Sequence, residues 1–295
     1  VEIFDDRRCV LGEAPWYEER TDRFGWVDIL GRRLHWRGCA DPQDAGSTDT
    51  PQDVGAAVPR VNGGLALCLT DGVVLADPDG ALHVLDDFAE ADAAAGRPRP
   101  AGAPRVRSND ARADRSGRLW VGTVAYDETP GAATLYRLEP GSPRPVPVLP
   151  GVSISNGLGW SSDGERMYYI DTPTRRVEVF RYDPATGEPT DRRTLATVDE
   201  ADGVPDGLCV DAEGGIWVAL HGGGAVRRYL PDGTLDRQVP VPTPRVTSCA
   251  FGGAGYDLLL VTTAAQGVTG DPGAGLTYVH RPGDVVGRPV DRFGG

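Results

Sequence analysis

The chain has 295 residues, a formal charge of -13 and an apolar fraction of 40%, enough for one large domain or two small ones. The acidic balance argues against nucleic acid, whose phosphates call for a basic surface, and there is no run of about 18 apolar residues to cross a membrane. No charged-then-apolar leader opens the sequence. Its five cysteines lack CxxC spacing and read as buried free thiols of a reducing cytoplasm, with a Cys9–Cys39 bridge left open.

Abundant glycine and proline with few aromatic residues suit many short strands joined by turns. Val1-Glu2-Ile3-Phe4 reads as a lone strand. A first unit follows: Gly12-Glu13-Ala14-Pro15, a turn at Thr21-Asp22-Arg23, then Phe24-Gly25-Trp26-Val27-Asp28-Ile29 and Arg33-Leu34-His35-Trp36. Residues 40–59 are rich in Asp, Pro, Gly, Ser and Thr and read as a solvated loop, or as a lid over a site. A diverged second unit covers 63–88 and opens on Asn62-Gly63-Gly64-Leu65; residues 90–104 read as a linker.

The third unit, 106–147, holds Ser108-Asn109-Asp110-Ala111, the turn Asp114-Arg115-Ser116-Gly117, the strand Leu119-Trp120-Val121-Gly122 and an excursion at Tyr126-Asp127-Glu128. The fourth, 152–198, opens on Ile154-Ser155-Asn156-Gly157-Leu158 and continues through Met167-Tyr168-Tyr169-Ile170-Asp171. The fifth, 204–241, holds Pro205-Asp206-Gly207-Leu208, then Ile216-Trp217-Val218-Ala219 and the turn His221-Gly222-Gly223-Gly224. The sixth, 246–285, opens on Thr247-Ser248-Cys249-Ala250 and carries a loose loop at 266–275.

Six units of roughly 45–50 residues, each with about four short strands, have the period of a propeller. Such units cannot bury their faces separately. The expectation is therefore an all-β, six-bladed β-propeller of four-stranded antiparallel blades in a single domain over 1–295, with the N-terminal strand completing the last blade. In that fold the first strand of each blade lines the central channel. The unit-entry residues Glu13, Gly63, Asn109, Asn156, Asp206 and Ser248 then converge at one channel end.

Glu13, Asn156 and Asp206 all offer oxygen donors, which suit a hard divalent cation such as Ca, Mg or Mn. Two carboxylates held together repel unless a cation lies between them. Three protein ligands leave positions for water and substrate. Singly, each residue reads equally as a turn former; it is the shared repeat position that singles them out. Arg107 lies two residues before Asn109 and so shares its side of a strand, where it would bind a substrate carboxylate or hydroxyl. Asp110 and Asp127 rank behind these, and His221 stands near the same end. The three glycines after His221 lack the Lys-Ser/Thr and the helix of a phosphate loop.

The segments Leu11-Gly12-Glu13-Ala14-Pro15-Trp16, Arg107-Ser108-Asn109-Asp110, Gly117-Arg118-Leu119-Trp120-Val121-Gly122-Thr123, Ile154-Ser155-Asn156-Gly157-Leu158 and Pro205-Asp206-Gly207-Leu208 occur in this order along nearly the whole chain. In this the sequence resembles the gluconolactonase, regucalcin and senescence-marker-protein family of six-bladed propellers. The resemblance implies one divalent metal ion (Ca, Zn, Mn or Mg) on Glu13, Asn156 and Asp206. It implies substrate contacts from Arg107 and Asn109, and hydrolysis of a small-molecule, sugar-type lactone with Asp206 as general base.

This sequence departs from the family at Tyr126-Asp127, where a Glu is common, and at His221, where an aromatic is common. Both departures lie on the substrate side. Two alternatives therefore stand beside the lactonase. One is a metal-dependent enzyme of specialised metabolism acting on a non-sugar ester, lactone or biosynthetic intermediate. The other is a non-catalytic calcium-binding regulatory propeller. The partner expected is a small molecule, with the chain a cytoplasmic monomer or weak homo-oligomer.

Overall fold

The computed structural model describes residues 1–295 and contains six four-stranded antiparallel sheets. Their innermost strands are Gly12–Glu18, Val54–Pro59, Val106–Ala113, Ser155–Trp160, Val204–Val210 and Val246–Gly252. Each packs against the innermost strand before and after it, and the sixth returns to the first. The result is a closed ring, a six-bladed β-propeller. Blade six takes its outermost strand, Glu2–Asp5, from the N-terminus, paired with Thr277–His280. Closure by the two ends of the chain follows the sequence expectation and leaves no unpaired gap in the ring.

The repeat has a local physical cause that recurs in blades three and five. Asp114 accepts the amides of Ser116 and Arg118 on Oδ1 at 2.9 Å each, and the Trp120 indole N–H on Oδ2 at 3.4 Å. Asp211 does the same with Glu213, Gly215 and Trp217, at 2.9, 2.8 and 2.8 Å. One carboxylate thus closes the hairpin turn and anchors the aromatic residue of the next strand. Trp120 packs with Leu158, Trp160 and Tyr182 of blade four, and Trp217 with Phe251 and Leu259 of blade six. Burying each such ring stabilises the seam between blades by about 2–3 kcal/mol.

Three expectations need correction. Residues 40–59 are not one long loop or lid but two strands with short turns at 40–44 and 50–53. Ala45–Asp49 is the fourth strand of blade one and Val54–Pro59 the first of blade two. Blade two therefore opens on Gly55, not Gly63, which lies in the hairpin turn that follows. A run of small residues, Val54-Gly55-Ala56-Ala57-Val58, is wholly buried there and carries no polar alternation to betray it. Residues 90–104 are not merely a linker, since Phe88–Ala94 is helical, with Asp87 and Glu90 forming a capping box. All five cysteines are free thiols, as the sequence reading had them, and the Cys9–Cys39 bridge it left open does not form.

The C-terminal tail was not foreseen. Phe293 is buried, its N–H donates to Pro59 O at 2.9 Å, and Arg292 makes two 2.8 Å bonds to Glu18. The tail crosses the end of the channel remote from Glu13. There Arg288–Asp291 help line a largely apolar pocket of about 80 Å³. No helix is long and apolar enough to cross a membrane.

Candidate functional site

Each innermost strand carries one residue more than the stretch it pairs with. In blades three, four and five the irregularity takes in Asn109-Asp110, Asn156-Gly157 and Asp206-Gly207. In blade one it follows Glu13 and takes in Ala14-Pro15, with Ala14 at φ 42°. Bulges re-aim side chains, and a buried alanine in left-handed backbone stores about 1–3 kcal/mol of strain. That strain sits beside Glu13. A Cβ at Gly157 would lie 2.8 Å from Asp206 O, and one at Gly207 would lie 2.1 Å from Ser248 Oγ. Glycine there lets the innermost strands of blades four, five and six approach one another.

Two aspartates fix the approach to the site. Asp28 accepts the amides of Val10 and Leu11, both at 2.9 Å, just ahead of Glu13. Asp171 accepts those of Ser153 and Ile154 on Oδ1, at 3.1 and 2.9 Å, just ahead of Asn156. The matching caps place Glu13 and Asn156 at equivalent points of their blades.

Glu13, Asn109, Asp110, Asn156 and Asp206 are all buried. Asn109 Nδ2 donates to Asn156 Oδ1 at 2.7 Å and to Ser155 O at 3.0 Å. Asn156 Nδ2 in turn donates to Thr172 Oγ1 at 2.8 Å, and that hydroxyl donates to Pro205 O at 2.9 Å. The chain runs from blade three through four to five, and it sets the Asn156 amide so that its oxygen has a lone pair to spare.

Burial, followed by the charge of Asp110, pushes the Glu13 carboxyl up to about 8. Burial, then Glu13 and Asp110, drives Asp206 well above the usual carboxylate range. Asp110 is raised by burial too, and its Oδ2 is buried without any hydrogen-bond partner. Three crowded acids thus face only two guanidiniums. Arg107 and Arg112 both lower Glu13. Such a site lacks positive charge, and the oxygen-only donor set of Glu13, Asn156 and Asp206 fits a hard divalent cation.

The other expected residues are placed as follows. Arg107 Nη1 donates to Asn109 Oδ1 at 2.8 Å and to Ser108 O at 2.9 Å, leaving Nε and Nη2 for another partner. Asp127 stands apart: its Oδ1 accepts the Thr129 amide at 3.1 Å and the Thr129 hydroxyl at 2.8 Å, closing its own exposed turn. Tyr126 holds the inward position instead, donating from its hydroxyl to Asp53 Oδ2 at 2.7 Å. His221 ends the second strand of blade five, and its charged neighbour is Arg245, not the acids. Ser248 is buried at the blade five–six seam with an unpartnered hydroxyl, and its neighbour Thr247 donates to Gly12 O at 2.5 Å.

Arg112 escaped the sequence reading. Its guanidinium spans the channel, donating to Pro15 O at 3.3 Å and to Leu208 O and Cys249 O at 3.4 Å each. Alternation counted from Arg107 would not place it there, because the extra residue at Asn109-Asp110 resets the alternation. Asp53 was missed because its segment was read as a loop.

Residues 11–265 match the model of a family described as the SMP-30/Gluconolactonase/LRE-like region. Regucalcin of Danio rerio is 36% identical over 303 residues, spanning 100% of this chain and 98% of its own. Pentonolactonase XacC of Haloferax volcanii is 38% identical over 271 residues, 92% of this chain and 87% of its own. The crystal structure of regucalcin from Agrobacterium tumefaciens, described as a calcium-binding protein, superposes with a TM-score of 0.89 at 29% identity. It covers 99% of this chain and 96% of that one.

Proposed function

Because the chain belongs to the SMP-30/gluconolactonase/LRE-like family, we propose that it is a divalent-metal-dependent hydrolase of a small sugar-type lactone. The observation that carries this reading is the meeting of Glu13, Asn156 and Asp206, buried and short of positive charge, at one end of the channel. A relative 38% identical is a pentonolactonase, which supports the lactone class.

Glu13, Asn156 and Asp206 would hold the metal ion. When bound, it supplies Lewis-acid polarisation of the lactone carbonyl and charge for the developing oxyanion. Arg107, with two donor nitrogens uncommitted, binds substrate oxygens. Asn109 orients Asn156 through its own amide and meets the same substrate. Asp206 takes the proton of the attacking water as the water oxygen bonds to the acyl carbon. The acyl C–O bond of the ring then breaks, the leaving oxygen takes up a proton, and the product is an open hydroxy acid. Arg112 and the apolar space beneath it close the channel floor.

A second reading, a non-sugar lactone or ester, draws on the excursion after Thr123. It offers Tyr126 to the channel mouth and turns Asp127 outward. One experiment addresses both. The purified protein is stripped of metal and assayed on panels of sugar and non-sugar lactones, with Ca, Mg, Mn or Zn returned singly. Metal-restored turnover of a sugar lactone supports the first reading, and of another lactone the second. Binding of metal at Glu13 with no turnover on either panel would leave the calcium-binding regulator.

A further inference from the structure

A second polar cluster is buried where the ring closes. We propose that Cys9, Asp28 and His35 form a cation site for a borderline-soft, thiolate-accepting divalent metal of the zinc type, separate from the oxygen-lined channel site.

The thiol, carboxylate and imidazole each offer one donor atom, and the three atoms lie within 4.8 Å of one another. Around a tetrahedral zinc, with bonds of about 2.0–2.3 Å, donors stand roughly 3.3–3.7 Å apart. The closing movement required is therefore at most about 1.5 Å. The donors come from three elements. Cys9 lies on the arm between Glu2–Asp5 of blade six and Gly12–Glu18 of blade one; Asp28 ends Arg23–Asp28; His35 lies in Arg33–Gly38. Their exposures are 1%, 5% and 6%.

Each donor has capacity to spare. His35 Nδ1 is buried with no hydrogen-bond partner, a state proteins rarely tolerate without a ligand or water. Asp28 Oδ1 is taken by the amides of Leu11 and Gly31, whereas Oδ2 accepts only from Val10, at 2.9 Å. Cys9 Sγ makes one long hydrogen bond, 3.9 Å to Arg7 O, and otherwise faces the Trp26 indole N–H. The imidazole stacks on Trp26 at 5.5 Å, which fixes its plane. Arg7, the neighbouring cation, is bonded to Asp5 through Nε and Nη2.

Chemistry selects the ion. Thiolate and imidazole together are a zinc-type donor pair, whereas Ca and Mg take oxygen donors. As the sulfur–metal bond forms, the thiol proton is released to water, an exchange that a thiolate-binding metal drives and Ca or Mg does not. The fourth position falls to water. In this closed setting the ion fastens the N-terminal arm to blade one. Because Asp28 also holds the amides leading to Glu13, the same ion steadies the approach to the channel site.

The test uses the metal-free full chain titrated with Co(II), read by the near-ultraviolet thiolate-to-cobalt charge-transfer band. The band is silent for an all-oxygen site. It is expected to saturate at one ion per chain and to be displaced by zinc. Glu13→Gln is expected to keep the band, Cys9→Ser to abolish it, and His35→Gln to weaken cobalt binding about ten-fold or more. Cys209 and Cys249, with sulfurs 3.5 Å apart, are the other place where thiolates meet, so Cys209→Ser must retain the band. No band in the wild type, a band surviving Cys9→Ser, or one lost with Cys209→Ser overturns the proposal. If Cys9→Ser does not fold, wild-type cobalt affinity in His35→Gln overturns it instead. Lactone turnover plays no part in the readout, so this test stands or falls apart from the channel reading.

Discussion

Asn109 and Asn156, 47 residues apart, meet across the seam of blades three and four, Nδ2 of one donating to Oδ1 of the other at 2.7 Å. The bond orients the amide oxygen that would face the metal. Asn109→Ala is therefore expected to fold normally and to lower divalent-metal affinity by about 10–100-fold, the usual effect of losing a ligand's hydrogen-bonded support. Calorimetric titration of the stripped protein measures this, and unchanged affinity would show that Asn156 needs no such support.

Asp206→Asn keeps the shape and the ligand oxygen but removes the proton acceptor. Turnover is expected to fall by about 10²–10⁴-fold. The melting temperature should hold, because a crowded buried charge has been taken away. Wild-type turnover in this variant would reassign the general base.

His221 gives a pH signature. Burial and the charge of Arg245 hold its imidazole down to about 4, from an ordinary 6.5. Below 6.5 the unfolded chain binds a proton that the folded chain refuses until about 4. The stability tied to this histidine is complete above pH 6.5 and is lost as pH falls to 4. Denaturant melts of His221→Phe should show a shallower loss across that window than wild type. Equal slopes would mean that the ring is freely hydrated.

The turn-and-tryptophan unit should reveal itself in stability. Asp211 is fully buried and bonds Arg228 Nε at 2.7 Å while capping its turn and anchoring Trp217. Asp211→Ala leaves a buried guanidinium short of a partner and is expected to cost about 3–5 kcal/mol. Urea unfolding would detect it, and a loss under 1 kcal/mol would contradict the account of the repeat given above.

The six-fold period, the antiparallel blades, the closing N-terminal strand and the carboxylate–amide constellation were legible in the sequence. They rest on local signals: an aspartate six residues before a buried tryptophan, glycine at fixed offsets, and polar residues at recurring strand entries. Blade two escaped because Val54–Pro59 is buried on both faces and carries no alternation. Asp127 and Arg112 show the complementary limit. Whether the first faces the channel depends on one turn at Thr129. The second reaches the channel because a single extra residue resets the alternation at Asn109-Asp110. Composition and spacing set which groups are available to a ring of blades. Which of them share a volume, and with which neighbours they must balance charge, is decided only by tertiary contacts between residues tens or hundreds of positions apart, as at Arg112 with Pro15 and Cys249.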